Sequence, residues 1–220
     1  MDDTALMGRL RKEMNGAVVE AMQQRGVNYP LNYGVSFPTI RDIAKPYAPN
    51  HSLAQLLYKQ QVRELKFAAA WIDDPQQVDA EQMRQWAEDF VYSEQVEQTV
   101  YALFRYVAPS VAGPVAMEWM ESDAAMKRYA GLLTAAAVVR PESEEDWTEA
   151  VFNAADRIAR GSGELEGNLA RGVASLFIKL AKTFPAYRER VQKTVATYAS
   201  ANDAALKSLA SELEWQLEYL

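Results

Sequence analysis

The 220-residue sequence contains no cysteine. Disulfide staples, a thiol nucleophile and any cysteine-held metal or cluster are therefore excluded. It has one histidine, His51, so a histidine-based metal centre and a histidine dyad are excluded as well. Ten glycines and nine prolines are too few for a turn-rich β protein or a disordered linker. No run reaches the roughly 18 apolar residues of a membrane-spanning helix; the longest, YAGLLTAAAVV at 129–139, is too short. The opening MDDTALMGRLRKEM has early acids and no apolar core of a signal peptide, so a cytoplasmic protein is expected. Hydrophobic residues at 49% and charged residues at 24% are the balance of a globular chain with a sizeable core.

Positive charge is also in short supply, with a net charge of −7. Residues 1–72 carry nine Lys/Arg against six Asp/Glu, 73–156 carry five against seventeen, and 157–220 carry nine against seven. An acidic middle thus lies between two mildly basic flanks. The total argues against strong nonspecific binding to nucleic acid or anionic membrane, yet it leaves cations in the flanks for specific contacts.

What the sequence has in quantity is helical periodicity. Val96, Val100, Leu103 and Val107 form one stripe of a helix, and Leu169, Val173, Leu176, Phe177 and Leu180 repeat it. Residues 125–138 are apolar around most of a helical circumference, as in a buried helix. Breaks fall at Pro49-Asn50, Asp74-Pro75, Ala108-Pro109, Arg140-Pro141, Gly161-Ser162-Gly163 and Phe184-Pro185. Ser143 followed by Glu144, Glu145 and Asp146 reads as an acidic helix start that complements the helix dipole. Ten to twelve helices are expected. The apolar helices 62–72, 96–107, 125–138 and 169–181 each follow a more polar helix, the pattern of stacked helix pairs in HEAT-like or armadillo-like repeats. The expected fold is all-α, a single helical-repeat domain over 1–220 whose concave face is the binding surface. The longest irregular segment, GVNYPLNYGVS at 26–36, is either a functional loop or a packed connection anchored by Tyr29, Leu31 and Tyr33.

Candidate chemistry is sparse. Glu94/Glu97 and Glu118/Glu121 pair carboxylates on helix faces, but metal sites in helical bundles also need Glu/His pairs that one histidine cannot supply. They read as solvated faces, and no metal is expected. GSGELEG at 161–167 lacks the Gly-Lys-Ser/Thr ending of a phosphate loop and reads as an inter-helix turn, so no cofactor is expected. His51, at a helix start after Pro49-Asn50, reads as structural. At about 100° per residue, Ser93, Glu97 and Phe104 border the core stripe of helix 94–107, with Tyr101 slightly further round. A carboxylate there is either a partly desolvated functional group or an ordinary boundary glutamate. On helix 169–181, Arg171, Ser175, Ile178 and Lys182 lie opposite the apolar stripe; two cations and a serine in a row suit phosphates, acidic side chains or plain water.

Residues 32–75 resemble the corresponding region of the DNA alkylation repair (AlkD-like) family. The match includes Gly34-Val35, a helix opening with Pro38 and closing with Ile43-Ala44, the Leu53-Ala54 helix, Arg63-Glu64, and the Ala69–Pro75 repeat ending. Weaker similarity runs through Trp86-Ala87-Glu88-Asp89-Phe90 to Arg171–Pro185. The resemblance implies HEAT-like repeats and kinship with DNA glycosylases that remove cationic alkylated bases, such as N3- and N7-alkylpurines, on a concave surface. In that family an aspartate four residues after a tryptophan supports the developing charge of the sugar, and a second tryptophan lies on a later helix. A carboxylate stabilises an oxocarbenium-like centre electrostatically, and indole faces accommodate a cationic base. Carried onto this sequence, the first tryptophan falls on Ser93, the aspartate on Glu97 and the later tryptophan on Ser175. A preceding basic residue survives as Arg171, and a following arginine falls on Ile178. Sliding Trp86 into the tryptophan position leaves Phe90 where the aspartate belongs.

The resemblance therefore implies a DNA-binding HEAT-like protein with a degenerate 3-/7-alkylpurine glycosylase site. Glu97 is the group for any residual catalysis, and Arg63, Lys66, Ser93, Tyr101, Arg105, Arg171, Ser175 and Lys182 face the DNA. The expected partner is damaged or distorted DNA, with no membrane and no metal. A protein–protein scaffold using the same surface is the alternative, suggested by the acidic middle and the missing indoles.

Overall fold

The computed structural model describes residues 2–161 and 167–220. Among them, regular structure consists of thirteen α-helices, two 3-10 turns and one isolated parallel bridge between Leu31 and Val62. The helix count exceeds the expected ten to twelve because the first two helices are separated without proline. Asn15-Gly16 marks that break, the Asn15 side chain accepting the Val18 N–H at 3.3 Å. The chain packs as two compact units, one ending at Val107 and the next beginning at Ala108.

The first unit contains α1 (Asp2–Lys12), α2 (Gly16–Gln24), α3 (Phe37–Ala44), α4 (His51–Tyr58), α5 (Arg63–Ile72), α6 (Ala80–Ala87) and α7 (Ser93–Ala102). Polar N-caps set several of these starts. Ser36 accepts from Thr39 N–H, Asn50 from Leu53 N–H at 3.0 Å and Asp79 from Gln82 N–H at 2.8 Å. At the centre is α5, with α3, α4 and α7 packed against it. Nine of its ten residues are buried, among them Arg63, Glu64 and Lys66. Charges so placed must be paired, because burying one alone costs far more than folding has to spare.

Segment 26–36 is a packed connection, with Tyr33 and Val35 in the core. Gly34 has φ +71°, and a Cβ there would lie 2.3 Å from the Asn15 carbonyl oxygen, so both backbone conformation and space require glycine. Leu31, expected to bury itself, is largely exposed and contributes its backbone to the bridge with Val62 instead. The helix expected over 96–107 is also revised. It starts at Ser93, stops at Ala102 and gives way to a 3-10 turn over Phe104–Tyr106. The tighter turn buries Phe104 completely, where a continuous α-helix would have left it at the border of the core stripe.

The second unit contains α8 (Pro109–Met120), α9 (Ala125–Val138), α10 (Glu145–Arg160), α11 (Gly167–Thr183), α12 (Pro185–Ser200) and α13 (Ala204–Glu218). The buried helix expected over 125–138 is α9, packed against α8 and α11. Small residues set its close approach: a Cβ on Gly131 would lie 2.7 Å from both the Ala116 oxygen and the Met120 nitrogen. Its counterpart on α11 is Gly172, where a Cβ would meet Leu132 at 2.9 Å. The acidic start of α10 carries Glu145 and Asp146 in the first turn, with Ser143 Oγ accepting the Arg140 N–H at 2.9 Å. On the same helix Glu149 pairs with Arg190 of α12, which with Asn153 holds the carboxyl down to about 2. Of the turn expected over 161–167, only Gly161 and Gly167 lie within the described residues.

Candidate nucleic-acid interface

Arg63 and Lys66, expected to face DNA, point inward. Arg63 is 5% exposed. Its guanidinium forks onto Glu94, Nε to Oε1 at 2.8 Å and Nη2 to Oε2 at 3.1 Å. Nη1 donates to the Val35 carbonyl at 3.1 Å and to Glu64 at 3.0 Å. Phe37 and Phe67 flank it, with ring centroids 4.9 and 5.0 Å from Cζ. Glu64 is fully buried and accepts the Tyr33 and Val35 N–H groups at 3.0 and 3.2 Å. Tyr29 donates its hydroxyl to Glu94 at 2.6 Å. Burial opposes the Arg63 charge, but Glu94 and Glu64 more than offset it and leave its pKa raised. Burial, followed by the bond to Glu94, also raises the Tyr29 pKa.

Lys66 is 8% exposed; its Nζ donates to the Tyr58 carbonyl at 3.0 Å and to Asp89 at 2.6 Å, 4.4 Å from the Tyr58 ring. Both cations are spent on internal partners and are withdrawn from the DNA-facing set. Glu94, read as part of a solvated face, anchors Arg63 and Tyr29 instead. Trp86 is no substitute indole either: it is buried and stacks on Tyr58 at 3.8 Å with the rings 3° from parallel.

Ser93, Glu97 and Tyr101 are spaced by four along α7 and share one face of it. Ser93 and Glu97 are half-buried, and Tyr101 is 53% exposed. Just beyond the helix, the Arg105 guanidinium carbon lies 5.2 Å from the Tyr101 ring centroid and 5.1 Å from that of Tyr106. Tyr106 is 60% exposed. Trp71, on α5, meets Tyr101 edge-on at 5.7 Å. The structure thus joins Tyr101 and Arg105 and adds Tyr106 and Trp71, which sequence reasoning missed. Trp71 is the one residue of α5 outside the core, which the structure shows and the apolar run Phe67–Ile72 does not mark. Tyr106 had less, because its exposure depends on a 3-10 turn that helical periodicity conceals.

In the second unit, Arg171, Ser175 and Lys182 are exposed on α11 and, at spacings of four and seven, share a face. Arg171 turns back to the Asn168 side chain. Ile178, expected in that open row, is buried. His51 Nδ1 lies 2.8 Å from Asp73 Oδ1, and the Gln82 amide and the Asp74 N–H also donate to Asp73. Burial raises the Asp73 pKa against those bonds. Among the described residues, no group of three or more His, Asp and Glu is placed to hold a metal ion. No helix among them is long and apolar enough to cross a membrane.

No curated protein matches the sequence. One similar solved structure is described as "A new family of proteins related to the HEAT-like repeat DNA glycosylases with affinity for branched DNA structures". It is 17% identical, with a TM-score of 0.74 over 98% of this chain and 95% of that one. The likeness establishes the fold as an all-α HEAT-like helical repeat. A family model described as DNA alkylation repair enzyme matches residues 6–162. With that match spanning most of its length, the chain belongs to the DNA alkylation repair enzyme family.

Proposed function

We propose that the protein binds DNA through surface cations and aromatic side chains on its helical repeats, and that its alkylpurine glycosylase site is degenerate. The family match over residues 6–162 supports the DNA reading, and the observation that carries the degeneracy is a pair of serines, Ser93 and Ser175, at the two positions where the family resemblance implies tryptophan. A hydroxyl has no π face, so the attraction of an indole for a cationic base is lost at both. Glu97 keeps a carboxylate, but on a side chain one methylene longer, and a site that works by geometry is sensitive to such a shift. Any residual base release runs through Glu97 as electrostatic support for the sugar cation. Arg105, Arg171 and Lys182 supply phosphate contacts, while Ser93, Tyr101 and Ser175 line the same surfaces. Arg63 and Lys66 act only through the fold.

The affinity of the similar solved protein for branched DNA makes a four-way junction the first probe. Gel-shift titration is expected to show junction binding that weakens as salt rises. Chromatography of DNA carrying N3- and N7-methylpurines is expected to show at most slow base release, abolished in E97Q. No binding at any salt would overturn the DNA reading, and release that persists in E97Q would remove Glu97 from it. A protein–protein scaffold is the second reading, favoured by the acid excess over 73–156. A stoichiometric partner from native lysate that survives nuclease treatment would support it.

A further inference from the structure

Phosphate contact alone does not explain the surface around Arg105. A guanidinium that serves only phosphates has no need of two tyrosine rings, yet Arg105 lies about equally close to Tyr101 and Tyr106, at 5.2 and 5.1 Å. Tyr101 and Tyr106 are the two most exposed aromatic residues of the first unit, at 53% and 60%. The ring of Tyr101 is further braced edge-on by Trp71 at 5.7 Å. Exposing large aromatic side chains forgoes burial worth having, and Tyr101 is held between Trp71 and Arg105 while Tyr106 has Arg105 against it. Flat π faces with a cation between them are the chemistry that receives unstacked nucleobases, because every base offers a π face and the adjoining phosphate offers a charge.

We propose that Tyr101, Arg105 and Tyr106 form a stacking platform for unpaired bases, so that the protein distinguishes DNA with open base faces from fully paired duplex. The inference rests on the DNA-binding reading and deepens it: the cation holds the backbone, and the rings select the structure. Tyr106, the more exposed ring, receives the base. Tyr101, held between Trp71 and Arg105, fixes the guanidinium. Paired duplex has its base faces covered by neighbours and can use only the cation.

The test compares a fully paired duplex with the same duplex carrying a three-nucleotide bulge that contains 2-aminopurine. Binding is read by fluorescence anisotropy and stacking by quenching of the 2-aminopurine. The wild-type protein is expected to prefer the bulged probe and to quench it. Y106A should lose about tenfold in affinity for the bulge, the usual scale of one base–aromatic contact, with little change for paired duplex. Y106F should behave as wild type, since it keeps the ring. Equal affinity of wild type and Y106A for the bulge, or binding without quenching, overturns the platform while leaving DNA binding intact. Failure of both probes to bind at low salt overturns the DNA reading itself. Dimerisation of the wild type that disappears in Y106A would assign the rings to a second copy of the chain and also overturn the platform.

Discussion

Within the first unit, Arg63 has five hydrogen-bonding N–H groups and almost no water to give them to. Four protein contacts, to both Glu94 oxygens, to Glu64 and to the Val35 carbonyl, take that role. Removing the guanidinium strands Glu64, which has no exposed surface. R63A is therefore expected to lower the unfolding free energy by about 3 kcal/mol, the scale of breaking a buried ion pair from one side. Urea titration followed by tryptophan fluorescence measures it. A loss within about 0.5 kcal/mol, the scale of an ordinary surface substitution, would mean the cluster does not hold the unit. Arg63-Glu64 was among the residues that carried the family resemblance, so its importance was legible, but its direction was not. Residue type announces a charge; whether that charge meets water depends on Val35 and Glu94, each about thirty residues away.

Among the helices, α9 shows how far pattern alone reaches. An apolar circumference over 125–138, with a proline just beyond, marks both its ends and its burial, and the structure keeps those bounds. The neighbouring case of α7 shows the limit, because it changes to a 3-10 turn that buries Phe104, and helical periodicity along the sequence does not mark that change. The glycines of α9 and α1 make opposite predictions from the same substitution. Alanine is intrinsically the better helix former by about 1 kcal/mol. At Gly8 nothing lies within 4 Å of the added Cβ, so G8A should raise the melting temperature slightly. At Gly131 the new carbon meets two backbone atoms at 2.7 Å, and G131A should destabilise by roughly 1–3 kcal/mol despite the propensity gain. Thermal melts of the two variants test the pair; a higher melting temperature for G131A would contradict the close approach of α8 and α9.

Over the molecule as a whole, a net charge of −7 limits how DNA can be held. With Arg105, Arg171 and Lys182 as the proposed phosphate contacts, the logarithm of the duplex association constant should fall with the logarithm of salt at a slope of about −2 to −3. R171Q and K182Q should each make the slope shallower by about 1. A slope steeper than about −5 would place the main contacts on other cations. The helical repeat and the family were legible at this scale because both live in spacing and short motifs along the chain. The boundary between the two units falls between Val107 and Ala108, beside the Ala108-Pro109 break that the sequence marks only as a break between helices.

The segment from Gly26 to Ser36 has its own consequence for where the chain can be cut. A protease needs several residues of backbone free to extend into its cleft, and stretches without helix are the usual targets. Here the Tyr33 and Val35 amides are held by a carboxylate that never meets solvent, and the Val35 carbonyl by the arginine that pairs with it. Cleavage at that point must wait for the buried ion cluster to open. The stretch from Tyr33 to Val35 is thereby shielded from nicking, and any cut in this connection falls first on the exposed residues before it, Gly26, Asn28, Pro30 and Leu31.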